Sequence, residues 1–167
     1  MLETQIVKYV PHLRRYARVL LKEDMRAADD LVQDSLERAL HRSHLWRRGS
    51  NLRTWLFTIM HNLYVNEVRR QINAPQWLAL SDDDNIADKS AADSEVLLRD
   101  MQRALNTLPA DQREIISLVT LEGLRYHEVA RIMDIPEGTV MSRLSRARKR
   151  LRNYLSGESV QHLRRVK

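Results

Sequence analysis

The chain has 167 residues, 43% of them hydrophobic and 30% charged, which fits one soluble globular domain or two small ones. Its net charge is +6, and it has four Gly, four Pro and no cysteine, which excludes disulfides, thiolate metal sites and cysteine nucleophiles. No apolar run approaches the ~20 residues of a bilayer span, and MLETQIVKYV at the N-terminus lacks a signal-peptide core and cleavage site, so a cytoplasmic protein without direct membrane insertion is expected.

Apolar residues recur at helical spacing almost throughout, and no βαβ alternation, internal repeat or sustained heptad is visible. Pro11 is placed to open a first helix carrying Leu13, Tyr16, Ala17, Leu20 and Leu21. Asp24 is a candidate cap for a second helix, with Leu31, Val32, Ser35, Leu36, Ala39 and Leu40 on its inner side. A long third helix begins after Ser50 or Asn51, carries Leu52, Trp55, Leu56, Ile59, Met60 and Leu63 along one stripe, and ends near Arg69 and Arg70. Periodicity then fails over 72–93, where Pro75 and the run Asp82–Asp83–Asp84 read as an acidic linker. Four more helices are predicted at about 94–107, 111–121, 126–133 and 137–154, followed by a basic tail at 156–167. The expected fold is all-α: two small helical bundles, 1–71 and 94–155, joined by that linker. Each half is near the size at which a single core is marginal, so docking of the halves, on each other or on a partner, is expected to add stability.

The last third concentrates the charge. From Thr139 onward there are nine Lys or Arg against one Glu, a net of +8, while the whole chain is +6, so residues 1–138 sum to −2. LRYHEVARIMDIPEGTVMSRLSRARKRLRN, 124–153, reads as a short helix, a tight turn at Met133–Pro136 and a basic second helix. Val140, Leu144, Ala147 and Leu151 form the buried stripe of that second helix. Ser142, Arg143, Arg146, Lys149, Arg150 and Arg152 occupy its other faces. Arg and Lys neutralise phosphates or donate to guanine edges, and an α-helix fits the major groove. A solvated face on an ordinary bundle helix has a similar composition; the helix-turn spacing and near absence of acids favour nucleic acid.

A second basic patch, HRSHLWRRGSNLRTW at 41–55, joins helices two and three and interleaves Trp46 and Trp55 with Arg47, Arg48 and Arg53. Such a patch suits unpaired bases and backbone, although Trp55 falls on the apolar stripe and reads as core. Asp29, Asp30, Asp34 and Glu37 give the preceding helix an acidic outer face, suited to a protein partner or to plain solvation.

With these motifs in view, the chain resembles the extracytoplasmic-function (group 4) sigma factors of bacterial RNA polymerase. AADDLVQDSLERAL, 27–40, resembles the family's polymerase-binding helix, NLRTWLFTIMHNLYVNEVRR, 51–70, its −10-associated helix, and 105–151 its region 4. The resemblance covers about 10–155 and lacks the long middle region of housekeeping sigma factors. It implies that Asp30, Gln33, Asp34 and Glu37 face the β′ clamp coiled coil of core RNA polymerase. It assigns Arg47, Arg48, Ser50 and Asn51 to reading the −10 non-template strand beside a flipped base, with Arg53, His61, Asn62 and Arg69 supporting strand opening or backbone binding. Region 4 is expected to bind the β flap and to set its recognition helix in the −35 duplex, with Glu137, Thr139, Ser142, Arg143 and Arg146 as contacts. Met141 stands where many members carry Lys or Arg, and Arg125 where a small hydroxyl cap is usual. An anti-sigma factor is a further expected partner, often one that recruits the complex to the membrane.

No cofactor is implied. An enzyme is not expected either, since there is no Ser–His–Asp signature, phosphate-binding Gly loop or metal motif. His41, His44 and His61 lack supporting ligands. The rivals are an ordinary helix-turn-helix repressor or activator, for which no dimerisation element is evident, and a sigma-like decoy that binds only an anti-sigma protein.

Overall fold

The computed structural model describes residues 2–47, 49–73 and 93–157, the side chains of 93–98 excepted. Arg48, the segment 74–92 with its acidic run, and the tail from 158 lie outside the described residues. The helices are α1 (Leu2–Val7), α2 (Val10–Leu20), α3 (Met25–His41), α4 (Leu52–Asn73), α5 (Asp93–Asn106), α6 (Ala110–Ile116), α7 (Tyr126–Met133) and α8 (Glu137–Leu155). A 3-10 turn at Ser43–Leu45 precedes α4, and α6 runs on into a π-helical stretch, Ser117–Leu121. The fold is all-α, with two helical regions separated by the linker segment. The regular structure on either side trims that segment slightly, because Ile72, Asn73 and Asp93 are helical.

Local chemistry explains the boundaries. Pro11 sits in the first turn of α2, where its missing N–H costs nothing. Asp24 caps α3, accepting the Ala27 N–H at 3.0 Å. Between these helices, Lys22 and Glu23 take φ of 53° and 66°, a tight left-handed turn without glycine. Asp134 closes α7 in the same region, φ 51°, and turns the chain into Pro136, which precedes α8. α1 was not anticipated: it is one short helix whose single buried side chain, Ile6, reaches the core.

In the first half, α2, α3 and α4 pack around Leu13, Tyr16, Ala28, Val32, Leu56 and Met60. Ser35 is buried and satisfied by donating to Leu31 O at 2.6 Å. Leu40, expected inside, is 44% exposed, because the helical step carries it off the stripe that ends at Ala39. In the second half, α6, α7 and α8 pack around Ile115, Leu118, Ile132, Val140 and Leu144.

These two cores are continuous. α4 packs along α7, and α2 packs against α6 and the π-helical stretch. The expected stripe of α4 supplies four of the seven residues it buries, Leu52, Leu56, Ile59 and Met60, while Trp55 and Leu63, expected on the same stripe, are half-buried. Thr54, Phe57 and His61 are buried as well, on the side about 140–180° around the helix from Leu52. α4 is therefore the wall shared by both halves. Among the described residues, no helix is long and apolar enough to cross a membrane.

Candidate nucleic-acid interface

The basic helix α8 is laid out as its sequence suggests. Val140, Leu144 and Ala147 point into the core, each at most 1% exposed. Glu137, Ser142 and Arg146 are exposed on the other side, while Thr139 and Arg143 are half-buried. The Ser142 hydroxyl donates to Thr139 O at 3.1 Å. Arg143 is not free: its Nε lies 3.4 Å from the Asp111 carboxylate on α6. Met141, the departure from the usual basic residue, is 48% exposed on the same outer surface. Glu128 provides half of a capping box for α7, its Oε2 accepting the Arg125 N–H at 2.8 Å; the arginine supplies no acceptor in return.

Asp30, Gln33, Asp34 and Glu37 are all exposed along α3, and Gln33 donates to Glu37 at 3.1 Å. Asp30 and Asp34 edge a groove between α3 and α4 whose floor includes Leu31, Leu63 and Tyr64. A protein partner would find apolar surface there beside a mixed rim, in which Arg38 and Arg70 accompany Asp30, Asp34 and Glu67. Burial raises the Tyr64 hydroxyl pKa, so it enters such a contact protonated.

The loop before α4 carries the other basic patch. Arg47, Ser50 and Asn51 are exposed, and Ser50 folds back on Arg47 O through its hydroxyl, at 2.7 Å. Asn51 starts α4, its Oδ1 accepting the Thr54 N–H at 3.1 Å. Asn62 and Arg69 are exposed farther along α4. The remaining expected −10 residues, Arg53 and His61, face inward, and Asn51 reaches across to the second half.

Three carboxylates of the second half meet them. Glu128 Oε1 accepts from Asn51 Nδ2 at 2.6 Å, with Thr54 Oγ1 at 3.4 Å. Glu122, whose side chain has no exposure, binds Arg53 Nη2 at 3.0 Å, Arg15 Nε at 2.7 Å and His12 Nδ1 at 2.8 Å. Arg53 also donates to the Glu122 carbonyl and lies over the Phe57 ring, 5.8 Å from its centroid. Glu114 sits 2.5 Å from His61 Nδ1 and accepts from the Tyr16 hydroxyl. A fourth crossing runs the other way. Arg113 of α6 donates to Val19 O at 3.0 Å and Leu20 O at 3.2 Å, satisfying carbonyls that the end of α2 leaves open.

Burial alone would raise the Glu122 pKa, but hydrogen bonds from Arg15, His12 and Arg53 outweigh it and hold the carboxyl below its ordinary value. Burial, reinforced by the neighbouring Glu114, pushes the Tyr16 hydroxyl well above its ordinary value, so it stays a donor. Glu114, Glu122 and Arg113 escaped the sequence reading. Charged residues bordering an apolar helical run ordinarily read as a solvated surface, and their partners in the other half lie 53 to 110 positions away.

Comparison with known proteins bears on both halves. Residues 98–151 match the family model for sigma-70, region 4, and residues 6–61 match that for the sigma2 domain of PhyR. The chain is 35% identical over 150 residues to the ECF RNA polymerase sigma factor EcfG of Rhodopseudomonas palustris, covering 90% of this chain and 82% of that one. It is 34% identical over 143 residues to SigM of Mycobacterium tuberculosis, covering 86% and 71% respectively. Among solved structures it resembles the sigma factor RpoE in its complex with the anti-sigma factor NepR from Bartonella quintana, with 34% identity, a TM-score of 0.74 and coverage of 93% and 96%. A basic helix-turn-helix in one half, a long helix behind an arginine-rich loop in the other, and relatives that span nearly the whole chain lead to one conclusion: the chain belongs to the extracytoplasmic-function sigma factors, the non-catalytic subunits that direct RNA polymerase to promoters.

Proposed function

We propose that promoter recognition is divided between the halves: α4 and the loop before it read the −10 non-template strand, and α8 reads the −35 duplex. The boundaries would be 1–71 for polymerase and −10 binding, 72–93 for the linker and 94–155 for −35 binding. The observation that carries this reading is α8 itself. Its apolar stripe is buried in the second half while Glu137, Ser142 and Arg146 remain exposed at the end nearest the turn. That is the geometry of a recognition helix entering a major groove from its N-terminal end. Arg47, Ser50 and Asn51 support a −10 role by exposure, and Arg53 and His61 by lying on the same helix.

The acidic row Asp30, Asp34 and Glu37 beside the α3–α4 groove is the surface for core polymerase, at its β′ clamp coiled coil, and the second half would meet the β flap. The likeness to RpoE bound to NepR supports an anti-sigma factor as a further partner. The chain would act in the cytoplasm, or at the membrane where that anti-sigma factor is membrane-linked. Run-off transcription with core polymerase on genomic promoter fragments tests the reading. Initiation at discrete start sites, weakened on Arg146→Ala, is the expected result; absence of any start site, with tight binding to an anti-sigma protein alone, would instead identify a decoy.

A further inference from the structure

We propose that Met141 is a specificity-determining residue of the −35 contact, burying its side chain against the C5-methyl group of a thymine in the major groove. The inference deepens the assignment of α8 to the −35 duplex and rests on it. Met141 is the fifth residue of α8, at the end nearest the turn, and is 48% exposed. The helix has one other exposed large apolar side chain, Leu155, and that one is its last residue. Packing within the chain gives Met141 no role, because Val140, Leu144 and Ala147 fill the core and Met141 stands off their stripe. One turn away on the outer surface are Glu137, Gly138 and Ser145, all exposed. No atom lies within 4 Å of where a Gly138 Cβ would be, so the approach to Met141 from that side is open.

The chemistry of the side chain narrows its partner. A thioether carries no charge and donates no hydrogen bond, so it neither neutralises a phosphate nor reads the acceptors of guanine, as a Lys or Arg at this position would. Base edges in the major groove present donors and acceptors, and thymine alone adds a methyl group. That methyl is what a flexible, exposed apolar side chain can bury against. The rest of the helix holds it there. From Thr139 onward the chain carries a net charge of +8, which suits a polyanion and not an apolar protein segment. At about 100° per residue, Met141 and Arg146 fall on opposite flanks of Ser142, so α8 offers the groove one apolar and one cationic flank. A guanine facing Met141 would leave its acceptors without a donor, so an A·T pair is preferred at that step.

Replacing thymine by uracil removes that one methyl group and leaves every hydrogen-bonding group of the base in place. The probe is the −35 duplex of a promoter mapped by run-off transcription, bound by the full chain, with uracil put in place of each thymine of either strand in turn. The wild-type chain should lose about fourfold in affinity at one thymine, the weight of one buried methyl group. Met141→Ala should bind the unmodified duplex more weakly by a similar factor and should be indifferent to uracil at that position. Met141→Lys, a charged residue at an exposed site, should be equally indifferent and decides the matter if Met141→Ala loses its helical circular dichroism. A wild-type chain that ignores every uracil, or a methyl dependence that survives both substitutions, overturns the inference. Arg146→Ala separates this result from the reading beneath it. If neither Arg146→Ala nor any uracil alters affinity, α8 does not read the −35 element and both fail. If Arg146→Ala weakens binding while every uracil is ignored, α8 reads the duplex and only the role of Met141 is overturned.

Discussion

The two surfaces proposed to face DNA differ in what covers them. On α8, Ser142 and Arg146 project from a helix whose Val140, Leu144 and Ala147 are buried and whose Leu151 is half-buried, and both are open to solvent. On α4, Arg53 and His61 have their ring and guanidinium groups turned toward Glu122 and Glu114 of the other half. Similar basic chemistry is open in one place and neutralised in the other. Exposure, more than residue type, therefore separates the two: Arg146 is open to solvent, whereas Arg53 and His61 are engaged by carboxylates of the other half.

The largest expected effect breaks the open surface by removing its support. Leu144 is 1% exposed, and Leu144→Ala should destabilise the second half by about 2–5 kcal/mol, the range for a buried leucine truncation. Thermal or denaturant unfolding measures this, and a loss below 1 kcal/mol would mean that α8 is loosely seated.

Next in size is the closed surface. Glu122→Gln leaves His12, Arg15 and Arg53 without their shared anion. Those three are partly exposed, with side-chain exposures of 40%, 48% and 24%, so water recovers part of the loss. The expected cost is about 1–3 kcal/mol, below the full penalty for breaking a buried pair. The same carboxylate sets a pH dependence. Its folded-state pKa lies below the ordinary 4.5, so its contribution is complete above that value and is lost as pH falls through the depressed one. Wild-type stability should therefore drop with acidification below about pH 4.5 more steeply than that of Glu122→Gln. Parallel pH profiles for the two proteins would count against this role for Glu122.

Within the open surface, Arg146→Ala and Arg143→Ala should differ. A base-contacting arginine is worth about 1–3 kcal/mol and specifies one position, whereas a phosphate contact lowers affinity for all sequences and reduces the salt slope. Arg143 must first leave Asp111, so its truncation should cost less than that of Arg146. Affinities for cognate and scrambled −35 duplexes across a salt series would show it; equal losses would mean that the Asp111 contact is without energetic weight.

The smallest effect lies at the turn between α2 and α3, away from either surface. Lys22→Gly relieves a left-handed residue, φ 53°, and should raise stability by up to about 1 kcal/mol without changing DNA affinity.

Much of this molecule could be read from the sequence where the chemistry is local. The Asp24 cap, the Pro11 start, the stripe Val140–Leu144–Ala147 and the turn into Pro136 each depend on residues a few positions apart. The docking of the halves was legible only as a need, from the size of each core. Its means were not, because Glu122 meets Arg15 and Arg53 across more than sixty positions. A charged residue at the edge of an apolar run has no local signature that separates burial with partners from solvation. α4 shows the same limit: its second buried side, Thr54, Phe57 and His61, mixes one aromatic with polar groups, and periodicity counts only the apolar stripe opposite.

The most direct measurement follows the distance between dyes on cysteines introduced by Arg26→Cys in α3 and Ser145→Cys in α8 of the full chain, both exposed positions, while −35 duplex is added first and −10 non-template oligonucleotide second. The expected result is binding of the duplex at an unchanged short distance, then lengthening when the oligonucleotide binds. Lengthening on the −35 duplex alone, or binding of the oligonucleotide with the halves still together, would contradict a molecule that keeps one promoter-reading surface open and the other covered.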